Sequence, residues 1–218
     1  MDRLFTRNLI ARLAEENFDF ILRKSLKDYH VFGFNSLVLH KSEKLTLRLC
    51  VCEPGQTQLN NTRDPANNTL MIHNHRFDFE CQALCGYMEN LTYVETKVAT
   101  DQGEWLKYHY HSALLDPARE MRVDYLNKSF LALEKVECVD EGQSYALQHH
   151  QLHRIMVPSD RLLIMLFWQH ETKNNLPILF SNHSLPAKPD ITGLYNCFNK
   201  SELKRMLEMV LENLSARS

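Results

Sequence analysis

The stretch best equipped for chemistry is Met71–Gly86, MIHNHRFDFECQALCG, in which two histidines flank a single asparagine. Side chains of an extended strand alternate faces, so Ile72, Asn74 and Arg76 point one way while His73 and His75 point the other. Two imidazoles about 7 Å apart on one strand face can grip one divalent metal ion if a third ligand arrives from elsewhere. A second histidine-rich stretch, YALQHHQLHRIMVP, offers His149, His150 and His153 for that place. On a regular strand His149, Gln151 and His153 share a face and His150 lies opposite. Three neutral imidazoles leave open positions on iron(II), manganese(II), nickel(II) or zinc, and histidine alone does not choose among them. The plainer alternative is that a single H-x-H pair, in a chain with eleven histidines, is structural. His109 and His111 form a second such pair in YHYH, read as an exposed edge-strand pair rather than a site.

These histidines need strands to hold them, and the patterning supplies strands. Residues 2–15 read as an amphipathic helix, with Leu4, Phe5, Leu9 and Leu13 at helical spacing, and NFDFILRKSLK as a second short helix. From Val31 the period changes. VFGFNSLVLH and LTLRLCVCEP alternate around a turn at Lys41–Lys44, predicting a hairpin. Residues 54–69 are polar and rich in turn formers, and they deliver the chain to the H-x-H strand. Strand-like segments follow at YMENLTYVETK, WLKYHYHSAL, Phe130–Val139, YALQHHQLHRIMVP and RLLIMLFWQ, while 116–129 is ambiguous. Asn199-Lys-Ser-Glu202 has the spacing of a capping box opening a helix to about Leu214. Consecutive hairpins without alternating helices predict a mainly β, antiparallel sandwich or barrel. We expect a helical extension over 1–29, a barrel over 30–182, and a linker with a packed helix over 183–218.

With 218 residues, 44% hydrophobic and 24% charged, the chain is an ordinary globular sequence with one sizeable core. A net charge of -2 gives no electrostatic footprint for nucleic acid or anionic membrane. No apolar run reaches the roughly 18 residues that span a bilayer. The first eighteen residues are interrupted by Arg3, Arg7, Arg12, Glu15 and Glu16 and do not read as a secretion signal. None of the six cysteines forms a CxxC pair. Cys50 and Cys52 share a strand face, as do Cys81 and Cys85, which suits reduced core residues in a cytoplasmic protein.

The H-x-H pair, the Arg-Phe-Asp-Phe after it and the closing Gly86 resemble the first motif of the cupin superfamily. The implied fold is an antiparallel double-stranded β-helix, a jelly-roll barrel that binds metal. Leu152-His-Arg-Ile followed by a turn and a long apolar strand resembles the second cupin motif, which makes His153 the third ligand. The usual first motif also carries a glutamate separated from its glycine by six intervening residues, whereas only five separate Glu80 from Gly86. The glutamate's position is held here by Phe79, and by strand parity Asp78 and Glu80 face outward unless a bulge brings Glu80 in. The site implied is therefore three histidines without a carboxylate, similar to that of the thiol dioxygenases, with Glu80, His149 and Asp78 as further or supporting ligands. The resemblance covers about 45–95 and 142–170 and is nearest to a cupin branch with HxHxxDF. The strand after the third histidine, Ile164-Met-Leu-Phe-Trp168, lacks the Ser-x-His-x-Tyr of cysteine dioxygenase, so cysteine is not implied as substrate.

The resemblance implies a non-haem iron(II) oxygenase acting on a small molecule, as a possible homodimer. The alternatives are a non-oxidative cupin (isomerase, epimerase or lyase) and a ligand-binding barrel without activity. Arg48 and Arg63 are candidates to clamp a substrate carboxylate, because a guanidinium fork matches its geometry. Phe77, Phe79, Cys81, Tyr145, Gln151, Met165 and Phe167 are candidates for the pocket wall, with ordinary core packing as the other reading. Arg76 and Asp78 are expected to pair on the outer face.

Overall fold

The computed structural model describes residues 2–30, 33–55, 72–111, 121–158, 160–173 and 176–215. Two helices come first, α1 (Arg3–Glu16) and α2 (Phe18–Lys24), with Asp2 capping the start of α1 through the backbone N–H groups of Leu4 and Phe5. Thirteen strands follow: β1 (Leu26–Lys27), β2 (Phe34–Lys41), β3 (Leu45–Cys52), β4 (Ile72–His73), β5 (Phe77–Cys85), β6 (Met88–Thr96), β7 (Glu104–His111), β8 (Arg122–Val139), β9 (Ser144–Leu147), β10 (Leu152–Met156), β11 (Leu163–Thr172), β12 (Ile178–Ser181) and β13 (Asn196–Cys197). The helix α3 (Lys200–Ser215) closes the described chain. It opens on the expected capping box: Glu202 N–H donates to Asn199 Oδ1, and Asn199 N–H donates to the Glu202 carboxylate.

All pairings are antiparallel. One sheet runs β13-β1-β2-β3-β11-β5-β9, and the other closes into a ring, β10-β4-β12-β7-β8-β6. From β3 to β6, and again from β9 to β12, the chain alternates between the two sheets. Each strand of one turn thus pairs with strands of another: β11 sits between β3 and β5, and β10 between β4 and β6. That interleaving makes a double-stranded β-helix: the antiparallel barrel expected from the hairpin pattern, in the jelly-roll form that the resemblance implied.

Three layers of apolar side chains explain which residues form strands. The first sheet is buried on both faces, so β3 and β11 are near-continuous hydrophobic runs. Its outer face (Leu37, Leu39, Leu49, Ile164, Leu166) packs on Ile10 of α1, Ile21 of α2, and Leu203, Met206, Leu207, Val210 and Leu214 of α3. Its inner face (Cys50, Cys52, Phe79, Cys81, Met165) meets Met88 and Ile155 of the second sheet and Val157 just beyond β10. A separate core of Ile72, Leu91, Tyr93, Leu131, Leu152 and Phe180 lies on the far face of that second sheet, inside its ring.

Three expectations change. The strand read from Tyr145 to Pro158 is two strands, because a turn at His149 and His150 divides β9 from β10. The ambiguous segment before Phe130 is strand from Arg122 onward: β8 runs 18 residues, pairing first with β7 and then with β6, with register shifts near Tyr125–Asn127 and Leu133–Lys135. And β7, with His109 and His111, is no edge strand but lies between β12 and β8. Residues 56–69 of the expected loop lie outside the described residues.

Gly86 joins β5 to β6 at φ 88, where a Cβ would lie 2.2 Å from the Leu162 carbonyl oxygen. Both the left-handed backbone and the close approach require glycine. Gly86→Ala is therefore expected to destabilise the fold by about 2 kcal/mol or more, read as a lower denaturant midpoint at unchanged slope. An unshifted midpoint would show that the β5–β6 junction relaxes freely.

Candidate metal centre

The three histidines reach one point by strand pairing. His73, on β4, is directly opposite His153 on β10, and the chain leaves β4 to place His75 beside both. Asn74, between them, faces the other way: its N–H donates to the Ile178 carbonyl and its Oδ1 accepts from the Ile178 N–H at 2.6 Å. This side chain continues the β4–β12 ladder past the end of a two-residue strand and holds both histidines in place.

The ring centroids are 4.9 to 5.0 Å apart, and one nitrogen from each ring lies within 4.8 Å of the other two. His75 Nε2 and His153 Nε2 are 2.8 Å apart. Nitrogens bound to one ion at about 2.0–2.1 Å and at roughly right angles stand about 3 Å apart, so the pair fits a shared divalent cation. Asn90 Oδ1, on β6, accepts from His153 Nδ1 at 2.8 Å, which leaves Nε2 as the lone-pair nitrogen. Asn90 is almost wholly buried. Burial, then the neighbouring His73 and His153, then His30 and Arg48, hold the His75 pKa well below its usual value; burial and His73 do the same for His153. Both rings are thus neutral, the form that binds metal.

Phe79 packs against this cluster, its ring 4.8 Å from His75, 6.0 Å from His153, 5.4 Å from Phe167 and 5.9 Å from Tyr145. Phe77 adds a second aromatic face 5.3 Å from His75. Arg48, on the inner face of β3, stacks 4.9 Å from the Tyr29 ring, and its Nε is buried without a hydrogen-bond partner. Burial works against its charge, but Tyr29 and Cys50 outweigh it and raise the pKa. Among the described residues, the groups that act on Arg48 include no carboxylate. Burial pushes Cys50 up to about 12, against the pull of Arg48, and raises Cys81 and Tyr145 as well, so these groups are neutral.

Other candidates do not join the cluster. Glu80 alternates outward between buried Phe79 and Cys81, and its carboxylate lies 3.8 Å from His170; no bulge turns it inward. His149 sits in the turn, its N–H and Nδ1 both on Asp78 Oδ1, at 2.6 and 2.9 Å. Hydrogen bonds from the His149 backbone and ring hold the Asp78 carboxyl below its usual range. Asp78 thus pairs with His149 rather than with Arg76. The His149 carbonyl accepts from the His75 N–H, so this pair braces the backbone of a cluster residue from outside. Gln151 closes the turn through Oε1 on the Gln148 N–H. Asp78, Glu80 and Gln151 line a recess of about 400 Å³ at the β5–β9 edge that does not include the histidine cluster. His111 pairs with Asp124, and Arg63 lies outside the described residues.

Four residues near the cluster were missed: Asn74, Asn90, His30 and Tyr195. Asn74 had a readable signal, an asparagine at the end of a strand between two histidines. The others come from segments distant in the chain and left none.

No family model matches the chain, and no curated protein does. Solved structures similar to it include a cupin domain from Bordetella pertussis (14% identity, 64% of this chain and 95% of that one, TM-score 0.31). A hydroquinone 1,2-dioxygenase from Sphingomonas (10%, 62% and 64%, 0.34) and the polyketide cyclase RemF from Streptomyces resistomycificus (12%, 88% and 91%, 0.37) are also similar. The likeness is remote. What defines the class is the chain's own arrangement: a double-stranded β-helix, or jelly roll, with three histidines gathered between its sheets.

Asn90→Leu is expected to lower affinity for a divalent metal roughly ten- to hundredfold without unfolding the barrel. Competition against a chromogenic chelator measures this, and unchanged affinity would remove Asn90 from the site.

Proposed function

We propose that the protein is a metal-dependent cupin enzyme, a non-haem iron(II) oxygenase acting on a small anionic molecule. The observation that carries the reading is the convergence of three imidazoles, two of them held neutral by burial, with none of the described carboxylates among them. Neutral ligands leave a bound divalent ion its whole charge, and Arg48 adds another nearby. In a poorly hydrated interior that concentration of positive charge favours an anion. Iron(II), when bound, supplies adjacent positions for dioxygen and for a donor atom of the substrate. The chain's own residues do the rest: His73, His75 and His153 hold the ion, and Asn90 fixes the His153 tautomer. Arg48 receives the substrate carboxylate. Phe77, Phe79 and Phe167 keep water out, with Tyr145 supporting Phe79 from behind. None of the six cysteines is in a disulfide and four are buried, which supports a reducing, cytoplasmic setting.

The test is anaerobic reconstitution with iron(II), followed by oxygen-electrode assays with small thiol- and hydroxy-carboxylic acids. Expected are near-stoichiometric iron and acid-dependent oxygen uptake, both lost in His153→Ala. Arg48→Met should keep its iron and raise KM roughly ten- to hundredfold, the worth of a charged hydrogen bond. Retained metal without oxygen uptake would leave a non-oxidative isomerase or lyase. No retention of iron, manganese, nickel or zinc would overturn the metalloenzyme reading.

A further inference from the structure

Among the described residues, three that are not glycine have left-handed backbones: Asp28 (φ 52), His30 (φ 70) and Tyr195 (φ 58). All three meet at one place. The Tyr195 N–H donates to the Asp28 carbonyl, beside the β1–β13 pairing, and His30 Nδ1 lies 2.8 Å from the Tyr195 hydroxyl. Non-glycine residues adopt this conformation at a cost and keep it where surrounding structure enforces it.

The side chains so presented are continuous with the metal centre. The Tyr29 ring, which carries the Arg48 guanidinium, is 4.0 Å from His30 and 5.8 Å from Tyr195. On its other side His30 is 6.4 Å from Tyr110 of β7. The strand register says which face this is. Leu179 pairs with both His73 and Tyr108, so those three form a rung across β4, β12 and β7. Tyr110 is two residues further along β7, on the face of Tyr108, and its N–H donates to the Pro177 carbonyl. Its rung is therefore that of His75, two strand spacings away, roughly 10 Å. The segments before β2 and before α3 thus wall the same interior face that carries the histidines. Burial and the nearby charges of His73 and Arg48 lower the His30 pKa to about 3, so the ring is a neutral hydrogen-bonding group. Burial also raises the Tyr195 pKa, and its hydroxyl interacts with that of Tyr110.

We infer that His30 and Tyr195 are specificity-determining residues of the proposed site. The pair has one proton to spare beyond its own 2.8 Å hydrogen bond, and it gives that single neutral hydrogen bond to the same substrate carboxylate whose charge Arg48 meets, opposite the metal, the other member fixing the donor's orientation. This rests on the metal-centre reading. A charge alone does not distinguish a carboxylate from another anion, whereas a fork with fixed neutral partners beside it sets position and shape.

The test uses the full chain loaded with cobalt(II), whose thiolate charge-transfer absorption reports a thiol at the metal without any turnover. The probes are 3-sulfanylpropanoate and ethanethiol, which differ by the carboxylate. Wild-type protein should bind the acid at least tenfold more tightly. Arg48→Met should abolish the preference. Tyr195→Phe and His30→Asn, the latter chosen because asparagine tolerates the left-handed backbone, should each reduce it several-fold while cobalt and ethanethiol affinities stay within twofold of wild type. An undiminished preference in both variants, with Arg48→Met still abolishing it, overturns the inference alone. Absence of any preference in the wild type does so too. A chain that takes up no cobalt overturns the metal centre and this inference with it.

Discussion

The pairing of His73 opposite His153 is the constraint on which the site depends. A slip of one residue in either strand would turn its histidine to the far face. The far face is what prevents it. Ile72 and Leu152, the immediate neighbours of these two histidines, are buried with Leu91, Tyr93, Leu131 and Phe180 in the core inside the ring. Burying such a side chain contributes about 1.5–3 kcal/mol, so a slip that exposed even two of them would be strongly disfavoured. The cluster is thus assembled by hydrophobic burial on the side of the strand where no chemistry occurs, and it exists before any ion arrives.

The interior it faces is built to carry positive charge and little else. Cys50, Cys81 and Tyr145 stay protonated and the His30, His75 and His153 rings neutral, while Arg48 is a fixed charge stacked on Tyr29 with a buried Nε unpaired. A buried cation whose partners are an aromatic face and a thiol is stable only because part of its solvation is replaced and part left open. The carboxylates of the same region, Asp78 and Glu80, are kept outside by strand alternation, where they pair with His149 and His170.

Much of this was legible in the sequence. Period-two alternation placed His73, His75 and Phe79 on one face and Glu80 on the other, because successive side chains of an extended strand must point to opposite faces. The capping box of α3 was readable for the same local reason. Non-local features were not. Asn90 and His153 are 63 residues apart and meet only because β6 and β10 are neighbours. The turn at His149 and His150 carries no glycine or proline; it is made by Gln151 bonding back to Gln148 and by Asp78 on another strand. The first half of β8 reads as ambiguous because Asp124–Lys128 are exposed, so nothing imposes an alternating pattern on it.

The two-residue strands β1 and β13 are among the smallest elements of the fold, yet they join segments about 170 residues apart. Chains emerge from the ribosome N-terminus first, so β1 waits for its partner through the synthesis of the whole jelly roll. The barrel and its histidines can form while the Asp28–Tyr195 junction is still open, and the wall opposite them is added last. The order of synthesis thus separates the two halves of that interior: the strands that gather the histidines are complete before the segment carrying Tyr195 can close against Asp28.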